Sequence, residues 1–175
     1  MMYELKLPLC ADDIMRLKAY DQVMLTGSLF VGRDQVHKRF YDLLNQGRTL
    51  PISLAGETLY YMGPSPAPEG QVIGSCGPTT SARMDPFSPM LLDHGLKAMI
   101  GKGPRSVQVA NAIARNKAIY LQAFGGCGAL YASTVKTVTT VAFPELGPEA
   151  LLRLEVDHFP VIVAIDAFLG SVFSR

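Results

Sequence analysis

The sequence predicts a mixed α/β domain with more than one sheet, and three observations carry that reading. Strand and helix patterns alternate through the middle of the chain. Both ends are rich in strand patterns. Of the 175 residues, 49% are hydrophobic and 18% charged, which supplies a compact core and leaves no case for disorder. A single domain over 1–175 is expected.

The elements follow in order. In ADDIMRLKAY (11–20), acidic residues open a segment carrying Ile14, Met15 and Leu17, which predicts a short helix. QVMLTGSLFVG (22–32) reads as strand, glycine break, strand. Residues 34–46 place Val36, Phe40, Leu43 and Leu44 at helical spacing, with Gly47 as the stop. TLPISLAGETLYYMG (49–63) predicts a hairpin pair of strands, and the proline-rich PSPAPEG (64–70) a surface loop. QVIGSCGP (71–78) reads as a short strand stopped by Gly77-Pro78. A helix is predicted from Pro86 to His94, and a buried strand over LKAMIGKG (96–103). Pro104 opens a helix over RSVQVANAIARN (105–116), and KAIYLQAF (117–124) is a strand. GGCGALYAS (125–133) is a glycine-rich turn entering a small-residue segment. VKTVTTVAF (135–143), LLRLEV (151–156) and PVIVAID (160–166) are three further strands.

Charge and cysteine content narrow the function. A net charge of +1 gives no electrostatic reason to expect nucleic acid or an anionic membrane as partner. No apolar run approaches the ~20 residues of a membrane span, and MMYELKLPLCADD has charges where a signal peptide needs its apolar stretch. A cytoplasmic protein is expected. Cys10, Cys76 and Cys127 are far apart and form no CxxC pair, so a disulfide framework is not predicted. Spacing leaves open an iron–sulfur cluster on these three, although buried small cysteines are the commoner outcome.

Two stretches concentrate chemistry. GRDQVHKR (32–39) puts Arg33 and Asp34 at a strand-to-helix transition, with His37 on the same helix face as Arg33. Asp34 suits a helix N-terminus, whereas Arg33 gains nothing there unless it meets an anion. A surface ion pair and a solvated histidine explain the same residues. GPTTSARMD (77–85) sets Thr79, Thr80 and Arg83 just past a Gly77-Pro78 turn, where ligands gather in α/β proteins. Here the competing reading is backbone capping by the threonines and an Arg83–Asp85 pair. Lys102 lies between two glycines in IGKG, which is an ordinary tight turn or a close approach to a ligand. GGCGA (125–129) reads as packing or turn geometry. Neither a phosphate-binding glycine loop nor a nucleophile elbow is present, and His37, His94 and His158 share no metal-ligand spacing. An Arg/Lys/Thr-rich cluster suits a small di-acid, with a hydroxyl placed for proton transfer.

GPTTSARMDPFSPMLLDHGLKAMIGKG (77–103) closely resembles the signature of the β region of class I, iron–sulfur-dependent fumarate hydratases and the related L-tartrate dehydratases. VMLTGSLFVGRDQVHKR (23–39) and LGPEALLRLEVDHFPVIVAID (146–166) extend the resemblance over nearly the whole chain. It implies a swivelling β/β/α domain with mixed sheets and flanking helices. It further implies a β subunit of a hydro-lyase, active only with an α subunit that holds a [4Fe–4S] cluster in a hetero-oligomer. The implied reaction is the hydration of fumarate to malate, a tricarboxylic acid cycle step. L-tartrate dehydration, or a carboxylate-binding module without a catalytic partner, is the alternative. In that family the open iron acts as a Lewis acid on the substrate. Carried over by motif, Arg33, Arg83 and Lys102 would bind substrate carboxylates, and Thr79 would transfer the proton. Gly77, Pro78 and Thr80 would shape the turn, and His37 would lie nearby, orienting Arg33. Val31-Gly32 stands where many relatives carry a Thr-Ala-like pair, and Cys76 precedes the motif. Neither departure removes a charged group.

Overall fold

The strand-forming runs pair into one mixed sheet of seven strands, where more than one sheet was expected. The computed structural model describes residues 1–174. In chain order the elements are β1 (Met2–Lys6), α1 (Ala11–Arg16), β2 (Gln22–Val31), α2 (Asp34–Asn45), β3 (Thr58–Tyr60), α3 (Ser88–Asp93) and β4 (Ala98–Gly101). Then come α4 (Val107–Arg115), β5 (Ile119–Gln122), α5 (Gly128–Thr134), β6 (Val135–Ala142) and β7 (Leu151–Ile165). Short 3-10 turns occupy Ser81–Met84 and Pro144–Glu149.

The sheet order is β1-β2-β3-β4-β5-β7-β6, and β7 also pairs with β2. That extra pairing closes β2, β3, β4, β5 and β7 into a barrel-like ring. The single sheet has a physical cause in the 15 residues of β7, expected as two shorter strands. Its first half pairs with β6 and its last residues with β5, while its other edge runs along β2. His158, at φ 54°, bends the strand without ending it.

Gly27 likewise marks a bulge rather than a break in β2. It sits at φ 135°, and a side chain there would meet the Leu7 carbonyl oxygen at 2.8 Å. The expected hairpin at 49–63 reduces to β3, paired in parallel with β2 and β4. Residues 71–78 form no strand, and the predicted 86–94 helix is confined to α3. The small-residue segment after GGCG is helical, as α5. β1 had no sequence signal strong enough to predict it.

Alternation along the ring strands sorts the core into two clusters. Leu29, Val31, Tyr60, Ala98, Ile100, Ile119, Leu121 and Val163 share the first. Phe30, Leu59, Met99, Tyr120 and Ala164 share the second, with Val36 and Phe40 of α2, Leu91 of α3 and Val109 and Ile113 of α4. The second cluster packs α2, α3 and α4 on one side of the ring strands, and the first, on the other side, also takes in Ile14 of α1 and Tyr131 of α5. The observed class is α/β, a mixed sheet with flanking helices.

Candidate active site

β2, β3 and β4 lie side by side in parallel, so their carboxyl ends share one edge of the ring. Ligands of α/β sheets gather at such an edge. Arg33 follows β2 by two residues, Gly63 lies just past β3, and Lys102 comes directly after β4. The stretch 77–85 crosses the same edge, held by the backbone. The Thr79 amide donates to the Tyr61 carbonyl at 2.8 Å, and the Ser81 amide to the Lys102 carbonyl at 2.9 Å. Thr80 and Lys102 form an isolated parallel bridge. Upstream, the Tyr60 hydroxyl donates to the Cys76 carbonyl at 2.6 Å, and Pro78 is buried. Gly77 packs on Gly128 with room for a methyl group, so space does not demand a glycine there.

The far end of the stretch is pinned by Asp85. One carboxylate oxygen accepts from Arg105 Nε at 2.7 Å and the other from the Ser106 amide at 2.8 Å. The Arg105 side chain is fully buried, donates to Ser88 Oγ at 2.7 Å and lies over the Tyr61 and Tyr120 rings. Tyr120 Oη in turn pairs with Ser81 Oγ at 2.8 Å. Asp85 therefore belongs to Arg105, and the alternative Arg83–Asp85 pair does not form. Sequence reasoning missed Arg105; its one signal was a cation following Pro104 where a helix begins.

The candidate cations differ in their partners. Arg83, exposed, donates to Asp34 Oδ2 at 2.9 Å. Arg33 Nε donates to Glu149 Oε1 at 3.0 Å, and its guanidinium lies against Gly63, where a Cβ would stand 2.7 Å from Cζ. Among the described residues Lys102 has no ion pair. Its side chain passes Gly125, which brings the GGCG loop alongside.

His37 is fully buried, so it is not a solvated histidine. Its Nδ1 lies 2.7 Å from the Arg33 carbonyl and, facing an acceptor, carries the proton. The ring meets Tyr61 edge-on with centroids 5.1 Å apart, and Nε2 has no partner. Burial lowers its pKa to about 4, which keeps the imidazole neutral at neutral pH. His37 supports the backbone of Arg33 from below.

The cysteines do not fit a cluster. Cys10 is exposed beside α1, Cys127 is half-buried, and burial pushes the Cys76 thiol up to about 12, against the thiolate a metal needs. Among the described residues no group of three or more His, Cys, Asp or Glu is placed to hold a metal. A hollow of about 650 Å³ opens beside the edge, lined by Ser65, Ile73, Ser75, Ala129 and Val135. None of Arg33, His37, Thr79, Arg83 or Lys102 lines it; Arg33, Thr79, Arg83 and Lys102 stand on an open face, and His37 is buried behind Arg33. Among the described residues no helix is long and apolar enough to cross a membrane.

Cations and hydroxyls gather where parallel strands end in this α/β domain. Its family is specific: the family model for the fumarase C-terminus matches residues 2–175, and the chain belongs to that family. It is 38% identical over 156 residues to fumarate hydratase 2 of Leishmania major, covering 88% of this chain and 28% of that protein. Against the anaerobic class I fumarate hydratase of Escherichia coli it is 40% identical over 147 residues, 83% of this chain and 27% of the relative. The chain thus spans less than a third of the length of these fumarate hydratases. A protein of Methanocaldococcus jannaschii, provisionally named L(+)-tartrate dehydratase subunit beta, is 36% identical over 169 residues, covering 93% of this chain and 87% of that protein.

Proposed function

We propose that this chain is the β subunit of a fumarate hydratase-type hydro-lyase, completed by an α subunit that carries the [4Fe–4S] cluster. One observation carries the reading: three separate segments bring Arg33, Lys102 and, from the 77–85 stretch, Thr79 and Arg83 to one strand-end face. That face is open, as half of a pocket would be. The domain would swivel against its partner to close it, in the cytoplasm.

No group of described residues in this chain suits the cluster, so the chemistry assigned to the chain is its own. Adding water across a double bond flanked by carboxylates makes or breaks a C–H bond beside one of them. That proton is weakly acidic, and cations on the neighbouring carboxylate stabilise the enediolate-like transition state. Arg33, Arg83 and Lys102 supply the charge. Thr79, anchored through its amide, presents the hydroxyl for proton transfer. A threonine hydroxyl is too weak an acid to act unaided, so its activation falls to groups of the α subunit. Gly77, Pro78 and Thr80 carry the turn that presents it.

A second reading, the β subunit of L-tartrate dehydratase, is favoured by the archaeal relative, whose length this chain nearly matches. Co-expression with the α subunit, anaerobic purification and turnover of fumarate and L-tartrate decide between them. Turnover of neither substrate contradicts both readings.

A further inference from the structure

We infer that Glu149 is the positioning residue that aims Arg33, and this rests on the substrate-binding role proposed above for that arginine. A guanidinium has five N–H groups, and a carboxylate ligand uses its terminal fork. Glu149 Oε1 takes Nε at 3.0 Å, and neither terminal nitrogen makes a hydrogen bond among the described residues. The other sides are fixed as well. Gly63 lets the guanidinium lie flat against the backbone, and His37 Nδ1 holds the Arg33 carbonyl at 2.7 Å.

Glu149 is not needed as fold cement. It ends the 3-10 turn Pro144–Glu149, which is fastened to α2 elsewhere. Arg39 Nη1 donates to Glu145 Oε1 at 2.9 Å, and the Phe40 and Phe143 rings meet with centroids 6.2 Å apart. Two Arg–Glu pairs thus bind the same two elements, and only one of them holds an arginine at the strand-end face. The carboxylate stays on Nε while substrate occupies the fork; it is not a placeholder that substrate displaces.

The test uses Glu149→Ala, Glu149→Gln and the control Glu145→Ala, each read in two ways. In the isotope-labelled chain alone, the Arg33 Nε–H resonance is protected from exchange in the wild type. It remains so during titration with succinate, and Glu149→Ala abolishes it. In the reconstituted α/β enzyme, Glu149→Ala raises KM about tenfold with kcat little changed, while Glu149→Gln, which keeps an acceptor for Nε, and Glu145→Ala stay within about twofold. An unchanged KM in Glu149→Ala, or loss of Nε–H protection on adding succinate, overturns the inference. A wild-type pair inactive on every di-acid overturns the functional reading instead, and the succinate titration still decides whether Glu149 keeps its hold.

Discussion

Thr80 and Lys102 face each other across a parallel bridge, with the Ser81 amide on the Lys102 carbonyl at 2.9 Å. Two segments about twenty residues apart in the chain thereby share one strip of backbone. The backbone that carries Lys102 is thus tied to the backbone that carries Thr79. Disturbing this strip should cost activity before it costs the fold.

Lys102→Ala and Arg83→Ala test the cations. Lys102 has no ion pair among the described residues, and the exposed Arg83–Asp34 pair is worth ~0–1 kcal/mol. Unfolding midpoints should stay close to wild type, while kcat/KM of the reconstituted enzyme falls by roughly a hundredfold or more. Parallel loss of stability and activity, followed by circular dichroism and turnover, would assign both residues to the scaffold.

Arg105→Ala should behave in the opposite way. Removing a fully buried guanidinium leaves Asp85 without its partner and empties the space between Tyr61 and Tyr120. Breaking a buried pair from one side costs about 3–5 kcal/mol. Urea unfolding of the chain alone measures it. Lysine cannot supply the fork that reaches Asp85 and Ser88 together, so Arg105→Lys should recover little.

Gly63→Ala probes orientation without removing charge. The new methyl group would stand 2.7 Å from Arg33 Cζ, at the mobile end of a long side chain that can swing aside. Stability should change by under about 1 kcal/mol, while KM for the di-acid rises. Unchanged KM would show that the resting place of Arg33 has no bearing on binding.

His37 sets a pH dependence of stability. Its folded pKa of about 4 lies below the ordinary 6.5, because burial disfavours the charged ring and outweighs the opposing pull of the Arg33 carbonyl and Asp34. The unfolded chain therefore binds this proton first. The stability due to neutral His37 is complete above about pH 6.5, declines as pH falls, and is fully lost below about 4. The loss is about 3 kcal/mol. Urea midpoints between pH 7 and 4 should show it, and His37→Phe should flatten the curve; an equal slope in that variant would refute the assignment.

What the sequence made legible is local. Residues 34–46 showed helical spacing and α2 occupies Asp34–Asn45; the apolar runs before Gly101 and around Tyr120 became β4 and β5. Thr79 and Arg83 stood out as polar groups after a Gly77-Pro78 turn, which follows no strand in the structure, and Lys102 as a cation at the glycine-marked end of β4. The rest depends on closure of the ring. Glu149 is 116 residues from Arg33, and no spacing rule announces such a pair. Asp85 had two arginines within reach, and burial chose Arg105. β7 looked like two strands because Asp157 and His158 interrupt its apolar pattern, yet pairing along β2 carries the backbone through. His37 read as exposed because its helix face was judged without Tyr61 and Phe87, which cover it.

Fumarate turnover, measured anaerobically for the chain alone, for the cluster-bearing α subunit alone and for their mixture, weighs the half-pocket idea most directly. Malate should form only in the mixture, and Thr79→Ala in that mixture should lower kcat far more than it raises KM. Catalysis by either chain on its own, or an undiminished kcat in Thr79→Ala, would contradict it.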